Sequence, residues 1–446
     1  MKKVLFISRG NGGVNYHRIL VPFLYLKKNN KDYEYYYDNN VDYSNDNNLN
    51  KLFEYDFIVY NKTILPKVED NEKLISELKN KNIKIFCDID DYWVLDKTHA
   101  LHLHTNLIND VKLVESNIIN ADLVTTTNKY LLSKIKRLNN NVYILENGFD
   151  ENIGQYKSSW KPSSKVRISY IGSSTHENDI KLLDGTVNLL LSDNEIKDKF
   201  IIQNCGFNVK GTKLKRDINP DFFKVINLLG LKENEILKQL IEVNFDLNKI
   251  KTLPLNVKEM FKDKLVKYVV VDIEPKESPY YIYEKILSDN FRGLSKQYIN
   301  FLHEFKNEFY QNSEHVSYIR KWSKDVLNYM EFYDETDVVI APLLTNEYNK
   351  SKSNLKMVEA LTRKLPIVCS NIQPYSEHGI NNTNCILIDD SKKNSYRDWY
   401  KALKKLILNE DERIRLGQNL YDDLSDKFSL KNITEKRLNL FNKYEE

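Results

Sequence analysis

The segment from Asn349 to Glu359 combines two lysines and a carboxylate at helical spacing. It follows an apolar run at Val338–Ala341 that is typical of a strand. A helix beginning here would therefore start at the carboxyl edge of a parallel sheet, where such sheets bind ligands. Free N–H groups at a helix start attract a diphosphate, and Lys352 and Lys356 add positive charge one turn apart. Glu359 can accept two hydrogen bonds from a ribose diol. The alternative is a solvated charged helix in which Glu359 pairs with Lys356.

Two glycine-containing turns follow other strand-like runs. Gly172 comes directly after the run Val166–Ile171 and permits close approach of the backbone to a phosphate or a sugar, and His176 could hydrogen-bond the same ligand. Near the start of the chain, Gly10–Gly13 follows the run Val4–Ser8. This turn lacks the Gly-x-Gly-x-x-Gly spacing and the later acidic residue that a dinucleotide site requires. Tight turns without a ligand are the alternative at both places.

Three aspartates, Asp88, Asp90 and Asp91, end the strand-like run Ile83–Ile89. An Asp-x-Asp pair can hold Mn or Mg against a diphosphate, and an aspartate here could equally cap a helix. Because the run ends a strand in an alternating domain, we expect side chains that face a cleft, and no metal.

Three histidines, His99, His102 and His104, lie within six residues and could bind zinc. No second cluster of ligands accompanies them, and the cysteines lie elsewhere in the sequence. We therefore interpret this stretch as a surface segment next to the cleft.

Strand-like and helical runs alternate along the chain, which indicates parallel sheets with helices on both faces. In the first half, strands are predicted at Val4–Ser8, Phe57–Tyr60, Ile83–Ile89, Leu123–Thr127 and Val142–Leu145. In the second half, strands are predicted at Val166–Ile171, Phe200–Asn204, Val338–Ala341, Pro366–Ser370 and Ile386–Ile388. Helices are predicted at Tyr16–Lys28, Lys73–Lys79, Asp110–Asn120 and Trp399–Leu408.

This alternation predicts two α/β domains, since 446 residues are too many for one core. The first domain covers residues 1–157, and the second covers 158–430, starting in a polar linker that contains a proline. Residues 207–314 do not alternate, and they predict a folded, mostly helical insertion with a strand at Tyr268–Val271. The last helix, within 431–446, is expected to pack back on the first domain.

The composition is that of a globular chain, with 41% hydrophobic and 29% charged residues. The net charge of +3 is smaller than a strongly basic nucleic-acid binder would show. Cys87, Cys205, Cys369 and Cys385 lie far apart, so we expect buried thiols in a reducing compartment. No apolar run reaches the ~18 residues that cross a bilayer. We expect a cytoplasmic protein that can contact a membrane surface.

Together these motifs resemble the retaining GT-B glycosyltransferases of the family-4-like group, in a branch found in bacterial polysaccharide clusters and tailed phages. The matching positions of the donor segment are Asp337–Leu343, Asn349, Lys352, Ser353, Lys356, Glu359, Pro366–Val368, Pro374 and Tyr375. Ile168–Asp179 resembles the start of the donor domain, and Asn147–Asp150 resembles the end of the first domain. The resemblance does not extend to the insertion.

The resemblance implies two Rossmann-like, doubly wound parallel-sheet domains that face a cleft. It implies transfer of a hexosyl or pentosyl group from a UDP- or GDP-sugar to an acceptor hydroxyl, with retention and with no metal or other cofactor. The implied donor-binding residues are Gly172, Ser173, His176, Asn349, Lys352, Ser353, Lys356 and Glu359. The implied acceptor-side residues are Gly12, Gly13 and Arg18. The catalytic candidates are His17, Asp90 and Asp91, and the leaving phosphate would help to deprotonate the acceptor.

The sequence departs from the family pattern at two places. Many members have a second glutamate where this chain has Ser351, and many carry an arginine and a lysine where it has Ser173, Ser174 and His176. Lys352 would then share the diphosphate with Lys356. The sugar, the general base and the oligomeric state stay open.

The acceptor has two interpretations under this resemblance: a bacterial surface glycan or its lipid-linked precursor, or DNA with hydroxymethylated bases. DNA would place a phage protein in the host cytoplasm and could use Tyr280–Tyr283, Lys296–Tyr298 and Arg320–Trp322 to follow a phosphate backbone and stack on a base. Those tyrosines are equally explained as core residues. A non-catalytic binding module of the same fold and a metal-dependent GT-A enzyme are the more distant alternatives.

Overall fold

The computed structural model describes residues 1–10, 12–39, 43, 45–97, 99, 102, 105, 110–157, 159–207, 212–243, 245–262, 264–272, 279–288 and 317–444. These residues form two compact units. Unit 1 comprises Met1–Val209 and Pro279–Glu446, and unit 2 comprises Lys210–Ser278.

Unit 1 contains two sheets, each of six parallel strands, which confirms the predicted α/β class. The first sheet has the order β2-β1-β3-β4-β5-β6. Its strands are β1 (Lys2–Ile7), β2 (Tyr33–Asp38), β3 (Phe57–Asn61), β4 (Lys84–Ile89), β5 (Leu123–Thr126) and β6 (Val142–Ile144). The second sheet has the order β11-β8-β7-β12-β13-β14. Its strands are β7 (Val166–Ile171), β8 (Phe200–Phe207), β11 (Tyr318–Trp322), β12 (Val338–Ala341), β13 (Ile367–Ser370) and β14 (Ile386–Ile388).

Helices connect the strands and cover both sheets. In the first half they are α1 (Gly13–Asn15), α2 (Val21–Asn29), α3 (Asp46–Lys51), α4 (Val68–Asn80), α5 (Asp110–Asn120) and α6 (Lys129–Ile135). In the second half of unit 1 they include α7 (Glu177–Ile180), α8 (Thr186–Ser192), α12 (Pro279–Leu287), α13 (Glu331–Asp334), α14 (Glu347–Lys350), α15 (Leu355–Leu361), α16 (Ser395–Leu408), α17 (Glu410–Leu424) and α18 (Leu430–Asn442).

Unit 2 pairs an antiparallel hairpin with helices. The hairpin consists of β9 (Thr212–Ile218) and β10 (Val266–Asp272), and the helices are α9 (Pro220–Leu228), α10 (Glu233–Glu242) and α11 (Leu255–Phe261). Phe222, Ile236 and Phe261 lie in its apolar core. The helix α12, which lies inside the residues 207–314 assigned to an insertion, belongs to unit 1.

Both faces of the first sheet are buried, as expected of a parallel sheet. Along β3, Ile58 belongs to a core that includes Leu74 of α4, whereas Phe57 belongs to a separate core. That second core contains Phe441 of α18, whose ring stacks on Phe86 at 5.4 Å. The last long helix therefore packs on the first sheet.

Three strands were not predicted, and their compositions explain why. The edge strand β2 carries aromatic rather than aliphatic apolar residues: Tyr33 and Tyr35 are buried, and Glu34 between them is exposed. The strand β11 contains Arg320 and Lys321, whose charges are buried in ion pairs. The hairpin strand β9 lies in the region expected to be mostly helical.

The first helical segment differs from a regular α-helix. Between α1 and α2, the residues Tyr16–Leu20 form a π-helical turn. Pro22 follows this turn and has no N–H to donate, which disfavours the regular hydrogen-bond pattern at this point. The turn carries His17 and Arg18.

None of the helices in the described part of the chain has the length and apolar character that a bilayer-spanning segment needs. Cys87, Cys205, Cys369 and Cys385 are buried and form no disulfide with one another, as predicted.

Candidate active site

A cavity of about 200 Å³, here called the first cavity, lies at the carboxyl ends of strands from both sheets. Residues from the first half of the chain line one side: Gly13, Val14, His17, Arg18, Asp90, Asp91 and Asn147. Residues from the second half line the other: Tyr170, Ile171, His176, Ile340, Ala341, Pro342, Leu343, Lys352, Ser353, Leu355, Lys356 and Tyr375. The fold thus brings together nine of the predicted site residues: Gly13, His17, Arg18, Asp90, Asp91, His176, Lys352, Ser353 and Lys356.

Two lysines reach the first cavity beside the start of α15. The Nζ of Lys352 lies 3.5 Å from Nε2 of His176 and 4.5 Å from the centre of the Tyr348 ring. The Nζ of Lys356 donates to the Tyr329 hydroxyl at 2.8 Å, and burial lowers the pKa of Lys356. The N-cap residue Asn354 makes no side-chain capping hydrogen bond. This wall of the cavity therefore combines cationic groups with the N–H groups of a helix start, which is a favourable environment for an anion.

Glu359 is buried next to this wall and is not among the residues that line the first cavity. Its Oε2 accepts from the Tyr333 hydroxyl at 2.5 Å and lies 3.6 Å from Nζ of Lys356. Burial raises the pKa of Glu359. The carboxylate of Glu359 faces protein partners, so in this geometry it does not bind a ribose diol directly. Glu359 does pair with Lys356, as the alternative interpretation predicted, but the helix that carries Glu359 is buried rather than solvated.

Asn349 holds the local backbone instead of facing the first cavity. Its Nδ2 donates to Oδ1 of Asp179 at 2.7 Å and to the carbonyl of Leu344 at 2.9 Å. Asp179 also accepts from the backbone N–H of Leu344 at 2.8 Å. Asn349 therefore fixes the loop that leads from β12 to α14, and its contact with a donor stays a prediction.

The predicted turn residues Gly12, Gly172 and Ser173 also lie outside the lining of the first cavity. A Cβ on Gly172 would come within 2.9 Å of the Tyr170 hydroxyl, and a Cβ on Gly206 would meet the Gly172 carbonyl at 2.4 Å. The side chain of Tyr170 therefore occupies the space beside Gly172, and the close approach of β7 to β8 requires a glycine at position 206.

His176 is oriented by a carboxylate. Its Nδ1 lies 2.7 Å from Oδ2 of Asp179, which leaves Nε2 on the side of Lys352. Burial lowers the pKa of His176, and the charge of Lys352 acts in the same direction. Asp179 lies within the sequence motif, but no role was predicted for it. Its position three residues after His176 on a helical turn is the signal for this contact.

Arg18 is a positioning residue rather than a free acceptor-side group. Its guanidinium binds both carboxylate oxygens of Asp88, at 2.9 and 2.7 Å, and also the Leu145 carbonyl at 2.7 Å and Oδ1 of Asn147 at 3.0 Å. Burial alone would raise the pKa of Asp88, but the charge and hydrogen bonds of Arg18 bring this pKa below its ordinary value. Arg18 thus ties the π-helical turn to the ends of β4 and β6.

Asp90 is buried at the cavity wall. Its Oδ1 accepts from Nδ2 of Asn61 at 3.1 Å and lies 3.7 Å from Nζ of Lys62. Burial raises the pKa of Asp90, and the neighbouring carboxylates of Asp91 and Asp88 contribute in the same direction, against the opposing charge of Lys62.

His17 is an uncharged imidazole. Burial lowers the pKa of His17 to about 3, and the positive charges of Arg18 and Lys356 act in the same direction. Its Nδ1 lies 3.4 Å from the Tyr156 hydroxyl. A group with so low a pKa provides little driving force as a general base near neutral pH, so the geometry favours His17 as a neutral hydrogen-bonding group.

Two asparagines connect the halves of the first cavity. Nδ2 of Asn147 donates to the Ser353 hydroxyl at 3.0 Å, and Nδ2 of Asn128 donates to the Lys352 carbonyl at 2.6 Å. Ser353 is therefore engaged with the first half of the chain. Asn128 also caps α6, since its Oδ1 accepts from the Leu131 N–H. Sequence reasoning assigned neither asparagine to the site, although Asn147 lies in the segment matched to the end of the first domain.

The described residues contain no group of three or more His, Cys, Asp or Glu side chains that could hold a metal ion. The His99 ring packs edge-on against Tyr348 at 4.6 Å, and Nδ1 of His102 lies 2.8 Å from the Leu95 carbonyl. His104 lies outside the described residues.

Where the structure describes the stretches predicted to follow a phosphate backbone, the charged side chains Arg320 and Lys321 do not face solvent. Arg320 is buried in an ion pair with Glu284, Lys321 pairs with Glu335 at 2.6 Å, and Tyr283 is buried in the core of the second sheet. Lys296–Tyr298 lies outside the described residues. The available geometry therefore supports the interpretation of Tyr283 as a core residue.

No protein-family model matches this sequence, and none of the curated proteins does. Solved structures, in contrast, match over almost the whole chain. HepE of Anabaena in complex with UDP and glucose is 12% identical, with a TM-score of 0.52 over 99% of this chain and 100% of that chain. Sucrose-phosphate synthase of Thermosynechococcus elongatus is 11% identical, with a TM-score of 0.54 and 99% coverage of both chains. The lipopolysaccharide outer core galactosyltransferase WaaB is 10% identical, with a TM-score of 0.50 over 99% of this chain and 100% of that chain.

The shared feature is the pair of parallel sheets, and the GT-B fold predicted for this chain is confirmed. The metal-dependent GT-A alternative is therefore wrong at the level of the fold.

Proposed function

We propose that this protein is a glycosyltransferase that moves a sugar from a nucleotide-sugar donor to an acceptor hydroxyl, with retention of configuration and without a metal. The observation that carries the proposal is the convergence of Lys352, Lys356 and the start of α15 on one wall of the first cavity, opposite Asp90 and Asp91. An anionic leaving group and a hydroxyl-rich substrate match these two walls.

The diphosphate of a UDP- or GDP-sugar fits the cationic wall. Negative charge builds up on the leaving phosphate as the bond to the sugar breaks, and preorganised cations and N–H groups stabilise that charge without reorganising. The fold supports this assignment, since HepE was solved with UDP and glucose, and WaaB is a galactosyltransferase. His176, held by Asp179, supplies a further polar atom beside Lys352.

Asp90 is the better of the two candidate general bases. Its pKa is raised by burial, whereas the pKa of His17 is lowered to about 3. Proton transfer is most efficient when the pKa of the base approaches the working pH, which favours the aspartate. The leaving phosphate can share this role. His17 would then hydrogen-bond a sugar hydroxyl as a neutral group, and Asp91 would accept from another.

The acceptor we favour is a bacterial surface glycan or its lipid-linked precursor. The alternative of DNA loses the support of Arg320, Lys321 and Tyr283, which are buried in unit 1. No described feature favours a non-catalytic module over an enzyme, since both lysines and both aspartates face the same cavity.

Replacing the cavity lysines tests the donor site. We expect Lys352→Ala and Lys356→Ala each to weaken UDP binding about 10- to 100-fold, because each removes a charge-assisted hydrogen bond worth ~1.5–3 kcal/mol. Isothermal titration calorimetry with UDP and GDP measures the effect. The matched control is Lys401→Ala, since this lysine is exposed on α16 beside Asp398 and outside the first cavity.

Unchanged affinity for both nucleotides in the two cavity variants would refute the donor site. Circular dichroism spectra of all variants establish that they are folded. Hydrolysis of a UDP-sugar by the wild-type protein, measured without acceptor, separates an enzyme from a binding module.

A further inference from the structure

A second cavity, of about 770 Å³, lies beside the first one, and of the predicted donor-binding residues its described lining contains Asn349 alone. We propose that it holds the acceptor, and that this acceptor is an uncharged saccharide. The proposal rests on the proposed function and names the substrate class of the same site.

Neighbouring residues line the two cavities. Asp91 lines the first cavity and Tyr92 the second; likewise, His176 lines the first, and its neighbour Glu177 lines the second. Nζ of Lys352, in the first cavity, lies over the ring of Tyr348, in the second. A hydroxyl of a molecule in the second cavity can therefore reach the end of the donor that lies between Asp91 and His176.

The second cavity has the surfaces that a sugar ring uses. Aromatic and aliphatic side chains line part of this cavity, those of Tyr92, Tyr348, Val94 and Leu95, and side chains of this kind pack against the C–H side of a pyranose. Its volume lies within the ~300–1,000 Å³ of typical small-molecule sites. The mixture of aromatic and polar side chains is that of a site for an amphipathic, hydroxyl-rich ligand.

The charges of the second cavity oppose a polyanion. Its described lining contains four carboxylates, those of Asp96, Glu177, Asp179 and Glu347, and a single lysine, Lys97. A nucleic acid or a polyphosphate needs cationic contacts along its backbone, and carboxylates would repel it. Carboxylates instead accept hydrogen bonds from the hydroxyl groups of a neutral sugar.

Some of these carboxylates are already held in place. Glu347 pairs with Lys134, and Asp179 with His176. The ion pair with Lys134 neutralises charge at Glu347, and neither contact gives the cavity an excess of positive charge. Glu177 is partly exposed at the wall, where it can contact a ligand.

Filling the second cavity tests the proposal. Val94 is 41% exposed, so Val94→Trp adds a large side chain to the cavity without displacing a core residue. The matched control is Leu408→Trp, because Leu408 is also 41% exposed but lies at the end of α16, outside both cavities. Saturation-transfer NMR with UDP present measures binding of methyl glucoside, methyl galactoside, lactose and maltose.

We expect at least one of these saccharides to bind the wild-type protein and the Leu408→Trp variant. Its affinity for the Val94→Trp variant should be lower by a factor of roughly ten or more. The affinity for UDP should stay within about twofold in both variants. Equal saccharide binding by Val94→Trp, or no saccharide binding by the wild-type protein with UDP bound, would overturn the proposal. Transfer of sugar to a duplex oligonucleotide containing 5-hydroxymethylcytosine, blocked by Val94→Trp, would overturn it in favour of DNA. If the wild-type protein does not bind UDP, the proposed function itself fails.

Discussion

His17 and Asp90 line the same cavity and were both candidates for accepting a proton, but burial acts on them in opposite ways. An imidazole is charged when protonated, so burial lowers its pKa; a carboxyl is charged when deprotonated, so burial raises its pKa. The cations Arg18 and Lys356 lower the pKa of His17 further, whereas Asp91 adds to the increase at Asp90. The two groups therefore have different roles in the proposed reaction.

We predict that His17 stays neutral throughout the physiological range. Because its pKa is about 3 in the folded protein and ~6.5 in an unfolded chain, the unfolded chain binds a proton that the folded protein does not. The contribution of His17 to the free energy of unfolding is then constant above about pH 6.5 and decreases as the pH falls from there towards 3.

Long-range ¹⁵N–¹H NMR spectra of the imidazole, assigned by its loss in His17→Gln, measure this titration. The neutral pattern should persist on acidification down to about pH 5. An imidazolium pattern already present near pH 6, roughly the ordinary range of a histidine, would contradict the assignment.

At the scale of elements, α18 completes the first half of the molecule. Phe441 of this helix is fully buried, and its ring lies 5.4 Å from Phe86, 5.6 Å from Phe57 and 5.7 Å from Tyr33. The backbone is also held at the start of this helix, since the Leu430 N–H donates to the Phe149 carbonyl at 2.7 Å. The end of the chain is thus part of a core that begins at β1.

Removing this ring should destabilise the fold. We expect Phe441→Ala to lower the free energy of unfolding by about 3–5 kcal/mol, which is the usual cost of deleting a buried phenylalanine. Chemical denaturation measures the change. Ile414→Ala is the control, because Ile414 is exposed on α17 and its truncation should cost much less. A similar small cost for both variants would show that α18 does not pack on the first sheet.

At the scale of the whole molecule, polar contacts join the two walls of the first cavity. Asn147 binds Arg18 on one side and the Ser353 hydroxyl on the other. Elsewhere, Lys129 of the first half pairs with Glu377 of the second half at 2.9 Å, but the lysine is exposed, and surface pairs contribute little. The interior asparagine therefore matters more for holding the donor segment than the surface ion pair does.

Truncating Asn147 should loosen the donor segment. We expect the backbone amides of residues 349–355 to exchange about fivefold faster in Asn147→Ala, since a hydrogen bond contributes ~1 kcal/mol. Hydrogen–deuterium exchange with mass spectrometry measures the rate. Asn152→Ala is the matched control, because within the described part of the chain the side chain of Asn152 bonds to Asp150 of its own turn. Equal exchange in the two variants would show that Asn147 does not restrain this segment.

The strands and helices with regular apolar patterns could be predicted from the sequence alone. Uninterrupted apolar runs such as Val166–Ile171 and Val338–Ala341 predict buried parallel strands, because both faces of such strands are covered. The regular alternation of strands and helices then predicts two sheets, and the order of the motifs predicts which strand ends carry Asp90 and Lys352. These predictions succeed because they depend on local patterns of burial.

Which polar side chains face the first cavity depends on the tertiary fold and could not be predicted in full from the sequence. Asn349 and Glu359 have suitable chemistry at suitable spacing, but their partners Asp179 and Tyr333 lie 170 and 26 residues away and turn them into the protein interior. Asn147 and Asn128 gained roles from residues more than 200 positions distant. The pKa of His17 likewise depends on burial and on charges from both halves of the chain. Spacing along one helix cannot show these contacts, because hydrogen bonding and desolvation are set by the neighbours that folding brings together.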